Sequence, residues 1–302
     1  MSKEKTTPAE DTKQKESKIP FDKESRNMLC DRLNFAASEA YKLLRTNLTF
    51  PLPSDKPCRI VGVTSSIRGE GKTTTAINLG YTQAETGKKT LLIDADMRLP
   101  SVASKLGISG KPGLSNLLVG LCSFGEAVQT SELIKNWHIL PAGNIPPNPS
   151  ELLGGDHMKT LLQECAKTYD MIIIDLPPIN IVSDALTLAD QVDGLLLVVR
   201  ENYIDKSSLN DCMRQMGFLE KGKLLGFVVT GTGHSERRYY RYGRYGKYGK
   251  YGKYGYKYGY KYGYKKYGYG KYGYGGHDEY EEVWTWQHQA DEPEKAETAE
   301  TK

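Results

Sequence analysis

The sequence predicts an α/β fold in which a doubly wound, mostly parallel sheet is covered by helices on both faces, and three observations predict it. Runs rich in β-branched and aliphatic residues alternate with helical patterns across the middle of the chain, the arrangement that βαβ crossovers impose. Several runs, such as Met171-Ile172-Ile173-Ile174 and Leu195-Leu196-Leu197-Val198-Val199, are apolar at every position rather than at alternate ones, which marks strands buried on two faces. A Gly-rich turn, Gly69-Glu70-Gly71, stands between the first such run and a helix-forming stretch, at the place where sheets of this type bind their ligands.

The elements follow in chain order. Residues 1–25 are mostly Lys, Glu, Thr and Asp, and residues 1–30 are expected to be a polar, disordered arm with too little apolar surface to bury. An amphipathic helix over Ala36–Asn47 precedes the first strand, Arg59–Thr64. Lys72 opens the next helix, and Thr90–Asp94, His138–Pro141, Met171–Asp175, Gly194–Val199 and Leu225–Thr230 supply the remaining strands. Further helices begin at Ser150 and near Lys206, giving the long crossovers that parallel neighbours need. Residues 31–234 are thus expected to form one domain, followed by a Tyr/Gly/Lys-rich tract at 235–282 and an acidic, disordered end at 283–302.

Composition narrows the classes. The 302 residues carry a formal net charge of +4, and the sign is unevenly spread: the tract is basic and the stretch from Asp278 to Lys302 is acidic. No run approaches the 18 or so apolar residues of a membrane-spanning helix, and the N-terminus has no apolar signal-peptide centre. The five cysteines (Cys30, Cys58, Cys122, Cys165, Cys212) are odd in number and far apart, so neither a disulfide framework nor a zinc site is expected, and a reducing cytoplasm fits. His138, His157, His234, His277 and His288 lack metal-ligand spacing.

Gly69-Glu70-Gly71-Lys72-Thr73-Thr74 follows a strand and starts a helix, the context in which a phosphate loop works. Backbone amides at that helix start, with the positive end of its dipole, face phosphate oxygens. Lys72 would neutralise β and γ oxygens and the Thr73 hydroxyl would face Mg²⁺. Ser66 stands where the commonest form of the loop has its first glycine. Two strand ends carry carboxylates, Asp94-Ala95-Asp96-Met97-Arg98 and Asp175-Leu176-Pro177-Pro178. A charge at the mouth of an aliphatic strand needs compensation, which a hydrated cation provides.

Between Arg237 and Tyr280 one theme, Tyr-Gly-Lys-Tyr-Gly, repeats with small variations and holds 17 of the 21 tyrosines and 12 Lys or Arg, with no aliphatic side chain. Glycine after most tyrosines lowers β-propensity and side-chain obstruction, keeping such a segment extended and accessible. A Gly-rich chain of about 45 residues has a root-mean-square span of roughly 35–40 Å. Because each phosphate adds about −1.5 to −2 charges, six to eight phosphorylations would cancel the tract's basic charge.

Taken together, Gly69 to Thr73, Asp94-x-Asp96-x-Arg98, Asp175-x-Pro177-Pro178 and the tyrosine-rich tail resemble the bacterial tyrosine kinases of capsule and exopolysaccharide synthesis, in their split form. The resemblance covers roughly Ala36 to Thr232, and the loops Lys111-Pro112-Gly113-Leu114-Ser115 and Pro147 to Leu153 add to it. It implies a P-loop NTPase fold of the deviant-Walker, MinD/ParA-like kind, although Ile67 stands where the positioning ATPases of that group carry a signature Lys. It implies that ATP and Mg²⁺ are the cofactors and that phosphoryl transfer goes to protein tyrosine. By the resemblance Gly69, Glu70, Gly71, Lys72, Thr73 and Thr74 hold the nucleotide; Thr73, Asp96 and Asp175 hold the metal; Asp94 is the base, with Lys72 and Arg98 in the catalytic set. Acceptor candidates are Tyr254, Tyr256, Tyr258, Tyr260, Tyr262, Tyr264, Tyr267, Tyr269, Tyr272 and Tyr274.

The same family joins subunits into a ring through a Glu-x-x-Arg-x-x-Arg helix, here Glu39, Lys42 and Arg45, and Lys42 lacks the planar fork that Arg would bring. The resemblance further implies a separate transmembrane polysaccharide co-polymerase as activator, a cognate tyrosine phosphatase, and a cytoplasmic position at the inner face of the membrane through that partner. Thr230 stands where related ATPases commonly have an adenine-reading Asn. Two other readings keep the same residues. One is a switch ATPase without transfer to tyrosine. The other treats the tract as a binding module for nucleic acid or polysaccharide, against which stands its restriction to tyrosine among aromatics, since stacking alone does not require a hydroxyl.

Overall fold

The computed structural model describes Lys18–Ile19, residues 29–220 and residues 222–232. The acceptor candidates Tyr254 to Tyr274, the tract and the acidic end lie outside the described residues.

The strands are β1 (Lys18–Ile19), β2 (Arg59–Ser65), β3 (Thr90–Asp94), β4 (Gln129–Ser131), β5 (Trp137–Leu140), β6 (Met171–Asp175), β7 (Gly194–Arg200) and β8 (Leu224–Thr230). They form one sheet in the order β1-β4-β5-β3-β6-β2-β7-β8, and every neighbouring pair is parallel except β4 with β5. The six expected strands are present within a residue or so of their predicted ends, because uninterrupted aliphatic runs bounded by turn residues leave few alternatives. β5 stops at Leu140, before Pro141, which has no N–H to donate to a ladder.

Two strands have no strong signal in the sequence. β4 is Gln-Thr-Ser, three polar residues whose strand state comes from pairing with β5. Lys18–Ile19 falls in the stretch expected to be a disordered arm, yet its backbone pairs with β4, with Lys18 opposite Thr130 and Ile19 opposite Ser131. The pairing occupies hydrogen-bonding groups that β4 would otherwise leave at a sheet edge. Leu29 and Cys30 are also buried, so the domain takes in residues ahead of the expected boundary at 31.

The helices named below are α1 (Phe35–Asn47), α2 (Lys72–Glu85), α3 (Val102–Leu106), α4 (Leu114–Leu118), α5 (Phe124–Ala127), α6 (Pro149–Gly154), α7 (Asp156–Ala166), α8 (Asp184–Thr187) and α9 (Lys206–Met216). The helix expected to run on from Ser150 is two helices: α6 ends at Gly154, and Gly155, extended at φ −77° and ψ 163°, caps the start of α7. Two adjacent glycines break the run, since each disfavours helix by about 1 kcal/mol. α9 starts as predicted at Lys206, with the Asp205 side chain accepting from the Ser208 amide at 2.8 Å, a first-turn cap.

Alternation along the strands divides the core. Leu91, Ile93, Ile172, Ile174, Leu195 and Leu197 face one layer with Met158, Leu162 and Cys165 of α7 and Cys212 and Met216 of α9. Leu92, Ile173, Val61, Val63, Leu196 and Val198 face the other with Ala76, Ile77, Leu79 and Tyr81 of α2. Each fully buried aliphatic side chain contributes about 1.5–3 kcal/mol of transfer free energy. α2 packs closely at Gly80, where an added β-carbon would lie 3.0 Å from Trp137 Nε1. The Trp137 ring meets Tyr81 edge-on, with centroids 5.7 Å apart. This packing holds the second half of α2 against the start of β5.

Candidate active site

The phosphate loop keeps its shape through two glycines and one buried carboxylate. Gly69 and Gly71 have φ of 86° and 98°, a region costly for residues with a β-carbon. Glu70 is fully buried. Its Oε2 accepts from the Ile67 amide at 2.8 Å and its Oε1 from the Arg200 amide at 3.3 Å. The Glu70 side chain therefore braces the loop against β7 instead of facing a ligand, and of its groups the backbone amide remains for phosphate. The Thr230 hydroxyl donates to the Glu70 carbonyl at 2.6 Å, which ties β8 to the same loop.

Carboxylates arrive from the neighbouring strands. In the parallel register of β3 and β6, Asp94 is opposite Asp175, so two strand ends deliver their charges to one level. Lys72 Nζ stands 2.8 Å from Asp96 Oδ2 and 3.4 Å from Asp175 Oδ1. Burial alone would lower the Lys72 pKa, but the charges of Asp175 and Asp96 outweigh it and the ammonium is held above its ordinary value. Asp94 Oδ2 accepts from the Ser101 and Val102 amides at 3.1 and 3.0 Å, and Oδ1 from the Asp96 amide at 3.2 Å. Burial, then the neighbouring Asp175 charge, raises Asp94 to about 7 despite those bonds and Lys72. Burial raises Asp175 as well.

The donor set fits a hydrated Mg²⁺. Asp175 Oδ2 is buried without a hydrogen-bond partner, an orphan acceptor that calls for a cation or its water. The Thr73 hydroxyl lies 2.9 Å from that of Ser101, within the same cluster. Among the described residues no three or more His, Cys, Asp or Glu converge into an all-protein metal cage. Mg²⁺ does not require one, since it retains waters and takes phosphate oxygens beside one or two carboxylates.

Lys72, Thr73, Asp94, Asp96 and Asp175 are therefore brought together, with Gly69, Gly71 and Thr74 on the adjoining loop and helix start. Arg98 turns elsewhere: its Nε and Nη2 lie 2.9 and 3.1 Å from the two oxygens of Asp184, and Nη2 lies 3.1 Å from Ser150 Oγ. Asp184 is fully buried and also receives the Ser150 hydroxyl. On α1, Glu39 and Lys42 pair with each other at 2.8 Å on the surface, while Arg45 Nη1 donates to the Thr82 carbonyl of α2 at 2.7 Å. Sequence reasoning missed Ser101, Ser150, Asp184, Arg200 and Tyr203. Ser150 lies in α6, Asp184 opens α8, Arg200 ends β7, and Ser101 and Tyr203 lie between elements; each meets its partners only through the sheet, so no local pattern marks it.

Fold and site define a phosphate-loop nucleotide enzyme with carboxylates on two strands beside the loop. Comparison with known proteins agrees: the AAA domain model matches residues 58–219. Tyrosine-protein kinase YwqD of Bacillus subtilis (strain 168) is 41% identical over 206 residues, covering 67% of this chain and 86% of that protein. Tyrosine-protein kinase CpsD of Streptococcus agalactiae serotype III is 35% identical, over 67% of this chain and 85% of that one. Among solved structures, the kinase domain of Escherichia coli tyrosine kinase ETK is similar with a TM-score of 0.62 and 29% identity, over 73% of this chain and 83% of that domain. The chain belongs to the bacterial tyrosine-kinase family.

Proposed function

We propose that the chain transfers the γ-phosphoryl group of ATP to tyrosines of its own C-terminal tract, in trans within an oligomer, and thereby regulates capsular or exopolysaccharide polymerisation and export. The observation that carries the reading is the convergence of Lys72, Asp96 and Asp175 within ion-pair distance beside Asp94. Lys72 lies against both carboxylates, and its single positive charge offsets part of theirs. On binding, Lys72 moves to the β and γ oxygens and frees Asp96 and Asp175, which with Thr73 would hold Mg²⁺. That cation, when bound, shields the phosphates and screens charge developing on the transferred group.

Asp94 is the base. A carboxylate offers about four lone-pair positions, and three backbone amides take three of them, two on Oδ2 and one on Oδ1. The remaining position on Oδ1 accepts the tyrosine proton as its oxygen bonds to the γ phosphorus and the bond to the β-bridging oxygen breaks, leaving ADP. A pKa near 7 suits an acceptor of that proton. Arg98 enters as a positioning residue, fastening the segment after β3 to Asp184 and Ser150.

Glu39 and Lys42 form the subunit contact in this reading, and Arg45 stiffens α1 from behind. A transmembrane polysaccharide co-polymerase activates the enzyme at the inner face of the membrane, and a tyrosine phosphatase reverses the modification. Among the described residues no helix is long and apolar enough to cross a membrane. The test is full-length chain with Mg-ATP, with and without an activator's cytoplasmic peptide, read by intact mass and phosphotyrosine mapping beside Lys72→Met. Several phosphates confined to Tyr239 through Tyr280, absent from the variant, support it. ATP turnover without any phosphotyrosine refutes it and leaves the switch ATPase.

A further inference from the structure

The phosphate loop has two flanks, and they differ. The carboxylates beside Lys72 come from the ends of β3 and β6 and the residues just after β3, on one side of β2. On the other side lie β7 and β8, whose ends bring different chemistry to the loop. If the β and γ phosphates lie toward Lys72, Asp96 and Asp175, the nucleoside leaves the loop on the side of β7 and β8.

There an exposed flat surface is already assembled. The Arg200 guanidinium carbon stands 5.0 Å from the centre of the Tyr203 ring, within cation–π range. Arg200 Nη1 donates to the Gly69 carbonyl at 3.2 Å. The Tyr203 hydroxyl lies so near Gly69 that a β-carbon there would sit 2.6 Å from it. The turn that carries the ring is pinned: the Tyr203 amide donates to the Arg200 carbonyl at 3.3 Å, the Glu201 amide to the Thr230 carbonyl at 2.9 Å, and Asn202 takes a left-handed φ of 56°. Half of Tyr203 is exposed, although the surrounding backbone is held in place. The Thr230 hydroxyl, by contrast, gives its proton to the Glu70 carbonyl and keeps only acceptor positions toward a base edge.

We propose that Arg200 and Tyr203 form the platform on which the purine ring of the bound nucleotide stacks, so that the base is held by its face. An aromatic ring and a guanidinium plane both accept a base this way, and such stacking tolerates changes at the base edge. The inference rests on the phosphate-loop reading above, and its test separates the two. ATP, GTP and inorganic tripolyphosphate are titrated, each with Mg²⁺, into the full-length chain by calorimetry, alongside Tyr203→Ala, Tyr203→Phe and Lys72→Met.

Tyr203→Ala is expected to weaken ATP and GTP alike by about tenfold, within the range of one lost base–aromatic stack, and to leave tripolyphosphate unchanged. Tyr203→Phe keeps the ring and is expected to bind as the unaltered chain does. If Tyr203→Ala weakens tripolyphosphate as much as ATP, the ring supports the loop and the platform is refuted. If Tyr203→Phe loses as much as Tyr203→Ala, the hydroxyl acts and the stack is refuted. Lys72→Met should weaken all three ligands; unchanged tripolyphosphate binding in that variant would overturn the phosphate-loop reading itself.

Discussion

Replacing Arg98 by Ala separates a positioning role from a catalytic one. Asp184 is fully buried, and its charge is balanced by the Arg98 fork at 2.9 and 3.1 Å together with the Ser150 hydroxyl. Removing one partner of a buried ion pair costs about 3–5 kcal/mol, because the survivor is left uncompensated. The Arg98 side chain is 39% exposed, so water takes over part of the contact and roughly 2 kcal/mol is the better expectation. For a domain of this size that lowers Tm by about 4–8 °C, read by thermal unfolding of the full-length chain. In the Arg98→Ala background, Asp184→Asn removes the stranded charge and should recover most of the loss. The reasoning fails if Arg98→Ala keeps its Tm yet loses phosphoryl transfer, which would place the guanidinium on the reacting phosphate. It fails equally if Asp184→Asn restores nothing.

Further outcomes follow from the same geometry. Asp94, raised from an ordinary carboxylate value to about 7 by burial and by Asp175, holds a proton in the folded state that the unfolded chain has already released. Its contribution to stability is therefore complete below about pH 4 and lost as pH rises to about 7. In chelator and without nucleotide, the Tm difference between Asp94→Asn and the unaltered chain should shift in favour of the variant across that window; a flat difference would contradict the raised value. Gly113→Ala should lower Tm by about 6–12 °C, since its β-carbon would lie 2.3 Å from Pro141 O and Gly143 N and overpacking against backbone costs about 3 kcal/mol. A loss under 2 °C would mean that this crossing relaxes easily. Lys42→Arg should increase self-association in sedimentation velocity, because a guanidinium offers the fork that an ammonium lacks; an unchanged profile would remove α1 from the interface.

What could be read before folding was what the chain states contiguously. β2, β3, β6 and β7 announce themselves as aliphatic runs, and Asp94, Asp96 and Asp175 are legible because each ends or follows such a run. β4 was not, since Gln-Thr-Ser becomes a strand through its partner. The break between α6 and α7 was legible in Gly154-Gly155 and went unread. Orientation is the part that sequence withholds. Glu70 sits in the loop motif yet turns inward to Ile67 and Arg200, and Arg45 sits in the run expected to join subunits yet reaches back to Thr82. Asp184 lies 86 residues from Arg98 and becomes its partner only once the sheet has brought the start of α8 to the segment after β3.

The phosphate loop follows β2, Asp94 ends β3, Asp175 ends β6, Arg200 ends β7 and Thr230 ends β8. No fragment that lacks one of these strands contains the set, and it does not exist until the parallel crossovers are complete. Nucleotide binding is thus linked to global folding: a ligand at about a hundred times its Kd adds about 2.7 kcal/mol to the stability of the whole sheet. A cell rich in ATP would then hold more of this chain folded than a depleted one, and the abundance of the kinase would follow the supply of its phosphoryl donor.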